Sequence, residues 1–583
     1  MSDKLTNEER DQRVLDLYER MLEIEQRLIP TGLHVFGNAS EQREIADLLR
    51  MVASFDRPEL GIRSLNDLVA EGLGLPPYAN LIEESGRSEQ SMIGRQRIEA
   101  LVSESVELFT SSQQPAAGEA ASAMLNEQAA VPVDESAKVF ALLASVRNQL
   151  QSNDELAGLT RALRGEYVAP GPGGDLIQNP LLLPTGRNTH AVNPYVVPSA
   201  AAVRRAEPIA RALLERNLRE AGRYPETIAM VLWGIDNIKT EGEAVAQALW
   251  LLGVTPRRDS LNRATDVDVI PLDQLGRPRI DVVMTVSGIF RDLFGTTMGL
   301  LDRAVRRVAE LDEPGELNFV KRHIEAQMSV AQCSCDEAAV RVFSNAAGNY
   351  GTNVNFMVLE SQWEAPEELG DLFVTRKCFA YGCDSEGRSF DGREARRLYE
   401  QALSRVEVTY QNIDTTEVGI IDIDHYFEYL GGMTRAVEKR AGARPRVYLS
   451  DTLSPGSKVR TLEETIKLET RTKTLNPKWY EGMLRHGFSG VAEIEHQVTN
   501  TFGWSATAEA VDDWVYDQVA QTFVLDEEML DRLRALNPHS ARTLVARLLE
   551  ASGRGFWQAD PAVLDELRKA FTGLEDELEG VAR

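Results

Sequence analysis

The segment Asp422-Ile-Asp-His-Tyr-Phe-Glu428 sets three carboxylates beside one imidazole. If it is helical, Asp424 and Glu428 share a face at i and i+4. Two carboxylates and His425 could accept protons, or displace water from a hard cation that prefers oxygen ligands. A solvated helix start would explain the same charges. A second concentration is Leu475-Asn-Pro-Lys-Trp-Tyr-Glu-Gly-Met-Leu-Arg-His-Gly-Phe-Ser-Gly490, followed by Thr499-Asn-Thr-Phe-Gly-Trp-Ser-Ala-Thr507. Asn476-Pro477 can open a helix, since proline fits its first turn. Trp479, Met483 and His486 then fall on one face and Glu481 on another. Glu493, Glu495 and His496 follow, with Trp504 beyond them. Core packing accounts for the aromatics. The joint presence of Glu481, Arg485, His486, Glu495 and His496 points instead to a cavity wall with acid–base capacity.

Other candidates sit on polar, glycine-containing loops. Asp236, Lys239, Thr240 and Glu241 follow an apolar run and open a helix, as do Ser287, Arg291 and Asp292. Capping alone attracts such residues to a helix start. Arg341, Asn345, Asn349, Tyr350, Asn353 and Asn355 form an Asn/Gly-rich stretch. It suits left-handed backbone, and its converging amides could also orient a carboxylate or a bound water. Arg187, Asn188 and His190 lie on a long Gly/Pro-rich loop, where capping and turn formation compete with ligand contact. His34 stands alone in an apolar stretch, where a satisfied core histidine is the common outcome.

These residues need elements to hold them. Residues 226–345 alternate strand-like and helix-like runs: Ile228–Ile235 and Ile280–Val286 against Gly242–Leu252 and Phe290–Leu311. That order predicts parallel strands with crossover helices, and ligands at the carboxyl ends of the strands. Helical periodicity is expected over 8–28, up to about residue 110 and over roughly 134–164, with Ser111 to Ala121 as a linker or exposed loop. The pattern changes over 167–198, where Pro170–Asp175 and Leu183–His190 cannot be helix interior. Residues 393–440 and 461–583 read as mainly helical around a short strand at Arg446–Leu449. The expected fold is α/β plus mainly α. A helical region spans 1–165, a loop plus parallel-sheet domain 166–392, and a mainly helical domain 393–583.

Composition narrows the partners. The 583 residues exceed what one core supports, and 43% apolar with 26% charged residues is ordinary for a globular protein. A net charge of −27 disfavours nucleic acid. No apolar run approaches the roughly 20 residues that span a bilayer, and the first residues are too charged for a secretory signal. A cytoplasmic or stromal location is therefore expected. Cys333/Cys335 and Cys378/Cys383 have neither zinc-pair spacing nor a disulfide setting, so ordinary thiols are expected. Pro455-Gly-Ser-Lys458 lacks the first glycine of a phosphate loop, so ATP hydrolysis would reside on another chain.

Several long strings carry a resemblance. They are Glu25-Gln-Arg-Leu-Ile-Pro-Thr-Gly-Leu-His-Val35, Leu183-Pro-Thr-Gly-Arg-Asn-Thr-His-Ala-Val-Asn-Pro194 and Trp233-Gly-Ile-Asp-Asn-Ile-Lys-Thr-Glu-Gly242. Gly276 to Asp292, Arg341 to Asn355, the 475–507 motifs and the acidic Glu575 to Val581 continue them in order. Together they resemble the large, porphyrin-binding subunit of magnesium chelatase, a relative of the large cobaltochelatase subunit. The likeness covers nearly the whole chain but only the C-terminal half of that subunit.

The resemblance implies binding of protoporphyrin IX and Mg²⁺ insertion in (bacterio)chlorophyll synthesis. Mg²⁺ would be the substrate metal, ATP would be used by partner AAA+ motor subunits, and a separate N-terminal half subunit is a further expected partner. Insertion must strip water from Mg²⁺, remove two pyrrole protons and hold a flat ring in an apolar slot. On this resemblance the catalytic candidates are Glu241, Asp424, His425, Glu481, His486, Glu495 and His496. The ring-holding candidates are His34, Arg187, Asn188, His190, Lys239, Arg291, Arg341, Asn345, Asn349, Tyr350, Asn353, Asn355, Trp479 and Trp504. No residue is assigned to the metal. The alternatives are a cobaltochelatase subunit acting on a corrin precursor, and a porphyrin carrier without insertion activity.

Overall fold

This computed structural model describes residues 10, 13–14, 17, 21, 23–24, 27, 29, 33–38 and 42–581, apart from 85–87, 112–115, 152, 175, 178, 191, 384–388, 390, 416–417 and 453–457. The helix expected over 8–28 lies mostly outside the described residues. The chain forms two compact units. One is built from residues up to 192, without 29–33 and with 453–456; the other comprises 29–33, 193–452 and 457–583.

The first unit is helical. Helices Leu65–Gly72 and Glu89–Thr110 start at Ser64 and Ser88, whose hydroxyls each accept an N–H of the first turn. Leu49, Leu68, Ile98, Val102, Phe109, Leu125, Phe140 and Leu143 close its core. Two expectations change here. The linker read at Ser111 to Ala121 is helical from Ala116, in Ala116–Ala129. The helix read over 134–164 is two, Val133–Gln151 and Glu155–Leu163. The Asn153 side chain accepts the Glu155 N–H at 2.9 Å, a local bond that competes with helix continuation.

The second unit is organised by an eight-stranded sheet. Its strands are β1 Thr227–Leu232, β2 Asp281–Val286, β3 Val342–Ser344, β4 Phe379–Ala380, β5 Arg393–Glu394, β6 Val408–Ile413, β7 Arg446–Asp451 and β8 Val459–Thr461. Their spatial order is β8-β7-β6-β1-β2-β3-β4-β5. The five middle strands run parallel, and β8, β4 and β5 add antiparallel edges. β1 and β2 are buried along their whole length, the continuous apolar run that a two-sided parallel sheet demands. The sheet takes strands from both sides of residue 392.

β6 corrects the reading of 393–440 as mainly helical. Its sequence, Val-Thr-Tyr-Gln-Asn-Ile, alternates too many polar side chains to look like a core strand, yet all six are buried. Tertiary partners meet two of them: Thr409 bonds Thr434 at 3.0 Å, and the Tyr410 hydroxyl meets Ser450 at 2.7 Å. The Phe290–Leu311 helix is also two, Gly288–Leu293 and Gly295–Ala309, parted by the non-helical backbone of Phe294.

After β1 and β2 the chain turns at once into helices α1 Gly234–Lys239 and α2 Gly288–Leu293. These two turns interlock. A Cβ on Gly234 would lie 2.5 Å from Ile289 Cγ2 and 2.7 Å from the Phe290 nitrogen, so only glycine allows the approach. Ser287 Oγ ties them, accepting the N–H groups of Gly234 at 3.0 Å and Phe290 at 3.2 Å. Helix α3 Phe488–Ala508 is buried along most of its length. Among the described residues no helix is long and apolar enough to cross a membrane.

Candidate active site

The carboxyl ends of β1, β2 and β3 and the segment 420–429 converge on one polar cluster. The helix that starts at Asp424 widens into a π-helical turn at Phe427–Gly431 and continues as Gly432–Ala441. Wide turns of this kind recur at functional sites, because they re-aim side chains. Here the expected i, i+4 pair does not form. Instead His425 Nδ1 bonds Glu428 Oε2 at 2.9 Å, and Asp424 Oδ2 accepts from Asn355 Nδ2 at 2.6 Å.

Glu428 is the pivot. Its other oxygen, Oε1, accepts from the Thr352 N–H, from Thr352 Oγ1 at 2.9 Å and from the Asn353 N–H at 3.0 Å. Asn353 reaches this position in the left-handed region, φ +64°, as its amide chemistry permits. Burial pushes the Glu428 carboxyl up, but the His425 bond and the Thr352 donors outweigh it and hold it below the ordinary range. An ionised carboxylate 1% exposed thus faces an imidazole 58% exposed. The Glu428 hydrogen bond raises the His425 pKa above its ordinary value, against burial. Because Glu428 fixes the proton on Nδ1, Nε2 is the lone-pair nitrogen of the neutral ring. The geometry is an imidazole oriented by a buried carboxylate, an arrangement that can accept a proton.

The loop 345–355 is held from below. Arg291 Nη1 donates to the carbonyls of Ala346 and Asn349, each at 2.8 Å, while its Nε bonds Asp292 at 2.7 Å. The Tyr350 hydroxyl donates to Asp292 at 2.7 Å, and its carbonyl accepts the Tyr429 hydroxyl. Asn345 Nδ2 donates to the Gly351 carbonyl at 2.7 Å and its Oδ1 accepts from Lys377 Nζ at 2.6 Å. Lys377 is fully buried, 3.9 Å from the Tyr429 ring centroid, and burial drives its pKa well down. Sequence gave no hint of it: one lysine at a helix C-terminus reads as a favourable dipole contact. Trp233, at the end of β1, packs on Tyr429 at 4.5 Å and donates to Gln411 at 3.1 Å.

The 475–507 motifs act behind this cluster. Trp504 Nε1 donates to the Ile420 carbonyl at 2.8 Å, Asn500 to that of Ile421 at 3.0 Å, and Gln497 to Asp422 at 2.5 Å. Lys473 pairs with Asp422 from the same side. α3 thereby fixes the segment that leads into His425. Trp479 is buried and Glu481 forms an exposed two-pronged pair with Arg532, at 2.9 and 2.7 Å. His486 Nε2 accepts the Leu33 N–H at 3.0 Å. Glu495, its pKa raised by burial, accepts from Thr499 at 2.5 Å, with exposed His496 3.9 Å away.

The remaining candidates make other contacts. Arg341 reaches back to the amino end of β2 and grips buried Asp281 at 2.8 and 3.1 Å, with further bonds to the Ala338 and Val340 carbonyls. Lys239 pairs with Asp414 at 2.9 Å beyond β6. Buried Asp236 lies near Asp414, and burial first, then Asp414, pushes its pKa well up. Glu241 is exposed, with positive φ. His34, Arg187, Asn188 and His190 belong to the first unit. There His34 meets Glu155 at 3.2 Å and Arg187 donates to the Leu183 carbonyl at 3.4 Å. Asn188 and His190 lie on the strand Asn188–His190, paired with Pro170–Pro172. All four cysteines are free thiols. Among the described residues no group of three or more His, Cys, Asp or Glu side chains is placed to hold a metal ion.

Comparison with known proteins gives this arrangement a lineage. The family description CobN/Magnesium Chelatase matches residues 1–564. The chain is 43% identical over 607 aligned positions to the magnesium-chelatase subunit ChlH of rice, covering 100% of this chain and 43% of that protein. It is 33% identical to the aerobic cobaltochelatase subunit CobN of a Sinorhizobium species, covering 93% of this chain and 44% of the relative. The catalytic subunit of cobaltochelatase from Mycobacterium tuberculosis superposes with a TM-score of 0.88 at 32% identity, over 98% of this chain and 47% of that one. Spanning under half the length of these relatives, the chain belongs to the CobN/magnesium chelatase family.

Proposed function

We propose that this chain binds protoporphyrin IX and supplies the base that removes pyrrole protons as Mg²⁺ enters the ring. The observation that carries the reading is the His425–Glu428 pair. Each insertion replaces two N–H bonds with metal–nitrogen bonds and releases two protons. His425 Nε2 takes one proton at a time and, being largely exposed, returns it to solvent. Glu428 is already saturated with donors, so it orients the imidazole and stabilises its cation rather than taking the proton itself. Asp424, steadied by Asn355, offers an oxygen that can replace metal-bound water as Mg²⁺ is delivered.

The substrate metal is read as magnesium because identity to the rice ChlH subunit exceeds that to CobN. ATP hydrolysis is assigned to partner AAA+ subunits, and the polypeptide that the relatives carry beyond this span is a further partner. The location is cytoplasm or plastid stroma. The test is insertion by the chain combined with motor subunits and that remaining polypeptide, followed by the appearance of Mg-porphyrin fluorescence. Insertion of Co²⁺ into a corrin precursor, without insertion of Mg²⁺, would move the assignment to the cobalt branch. Porphyrin binding with no insertion by any combination would leave a carrier.

A further inference from the structure

Beside the His425 cluster lies an apolar ledge that none of the acid–base groups uses. Ile235, Ile289 and Tyr350 are 52%, 40% and 52% exposed, and they follow the carboxyl ends of β1, β2 and β3 in turn. They are contiguous. Ile289 covers Gly234, the neighbour of Ile235. A Cβ on Gly288, the neighbour of Ile289, would lie 2.4 Å from Tyr350 Cδ1, so Tyr350 covers Gly288. Large apolar side chains rarely line up in water without a use.

The Tyr350 end of the ledge is also stiff. Tyr350 is half in solvent, yet Asp292 holds its hydroxyl at 2.7 Å, Tyr429 holds its carbonyl, and the Arg291 guanidinium lies 5.3 Å from its ring centroid. A ring fixed before binding loses little rotamer freedom on binding. Two residues further on, Thr352 and Asn353 donate to Glu428, the carboxylate behind His425. One loop therefore supports both the ledge and the base.

Exposed apolar side chains that include a fixed aromatic ring, next to an imidazole, suit a ligand that is planar, apolar on its face and carries acidic N–H groups. We propose that Ile235, Ile289 and Tyr350 carry one face of the tetrapyrrole and bring its N–H centre to His425. This assignment rests on the reading that the chain binds a tetrapyrrole.

Protoporphyrin IX titrated into the purified chain, followed by porphyrin absorbance and fluorescence, tests it. Ile289→Asp and Tyr350→Ala each weaken binding by about tenfold or more. Tyr350→Phe, which keeps the ring and loses only the Asp292 bond, falls between them and the wild type. Val330→Asp, a more exposed apolar position on the helix Phe319–Ala331, binds as the wild type does. Wild-type binding together with unchanged binding by the ledge variants overturns the ledge and leaves the functional reading intact. No binding by the wild type overturns the reading and the ledge with it. If Ile289→Asp or Tyr350→Ala melts early, Ile235→Asp decides, and wild-type affinity there overturns the ledge.

Discussion

At the scale of single residues the account depends on His425 being a base held by a saturated carboxylate. The raised His425 pKa fixes the direction of the pH dependence. The neutral ring accepts protons, so insertion falls as pH drops through a midpoint above the ordinary imidazole value of about 6.5. Replacing Glu428 with Gln exchanges the charged acceptor that raises this pKa for a neutral amide and shifts the midpoint of the rate profile to lower pH. A profile of insertion rate against pH for both proteins checks this; an unchanged midpoint in Glu428→Gln contradicts it. The cluster was legible in sequence as a density of acid and imidazole. Its pairing was not, because a regular helix would join Asp424 to Glu428, whereas the wide turn at 427–431 and the distant Asn355 decide otherwise. Glu428 itself reads as a surface acid until Thr352 and Asn353 are seen to fill it.

At the scale of elements two features hold the strand ends in place. The first is the contact of α1 with α2. Gly234→Ala drives a methyl into the Phe290 backbone and costs about 1–3 kcal/mol of stability, measurable by denaturant titration. The second is the buried Asp281–Arg341 pair, with His323 Nδ1 3.1 Å from the same carboxylate. Burial alone would raise the Asp281 pKa, but Arg341 and His323 outweigh it and hold it at about 2. Its folded pKa lies below its unfolded one. The stabilisation is therefore present above the unfolded value, about 3.9, and is lost as pH falls toward 2. Asp281→Asn strands a buried guanidinium and destabilises by about 3–5 kcal/mol at neutral pH. A melt across pH 2–7 shows whether the mutant loses the acid-sensitive part of the wild-type curve. The alternation of strand and helix over 226–345 was readable because β1 and β2 are mostly apolar and buried along their length. β6 was not, since Thr409, Tyr410, Gln411 and Asn412 look soluble until their partners on other elements are known. The Thr499 to Trp504 motif stood out as unusual, and its part is to brace residues 420–422 from behind.

At the scale of the whole molecule the chain spans less than half of each compared relative. Its second unit nevertheless brings an imidazole, a buried carboxylate and exposed apolar side chains to the carboxyl ends of the middle strands. The long family strings made the lineage readable from sequence. Which string supplies chemistry and which supplies support depended on burial, as Arg341 and Trp504 illustrate. The most direct test is single-turnover Mg²⁺ insertion in the reconstituted assembly, comparing wild type with His425→Gln while porphyrin affinity is measured in parallel. The account predicts a loss of roughly 10²–10⁴-fold in insertion rate with porphyrin affinity unchanged. Insertion by His425→Gln at the wild-type rate would contradict it.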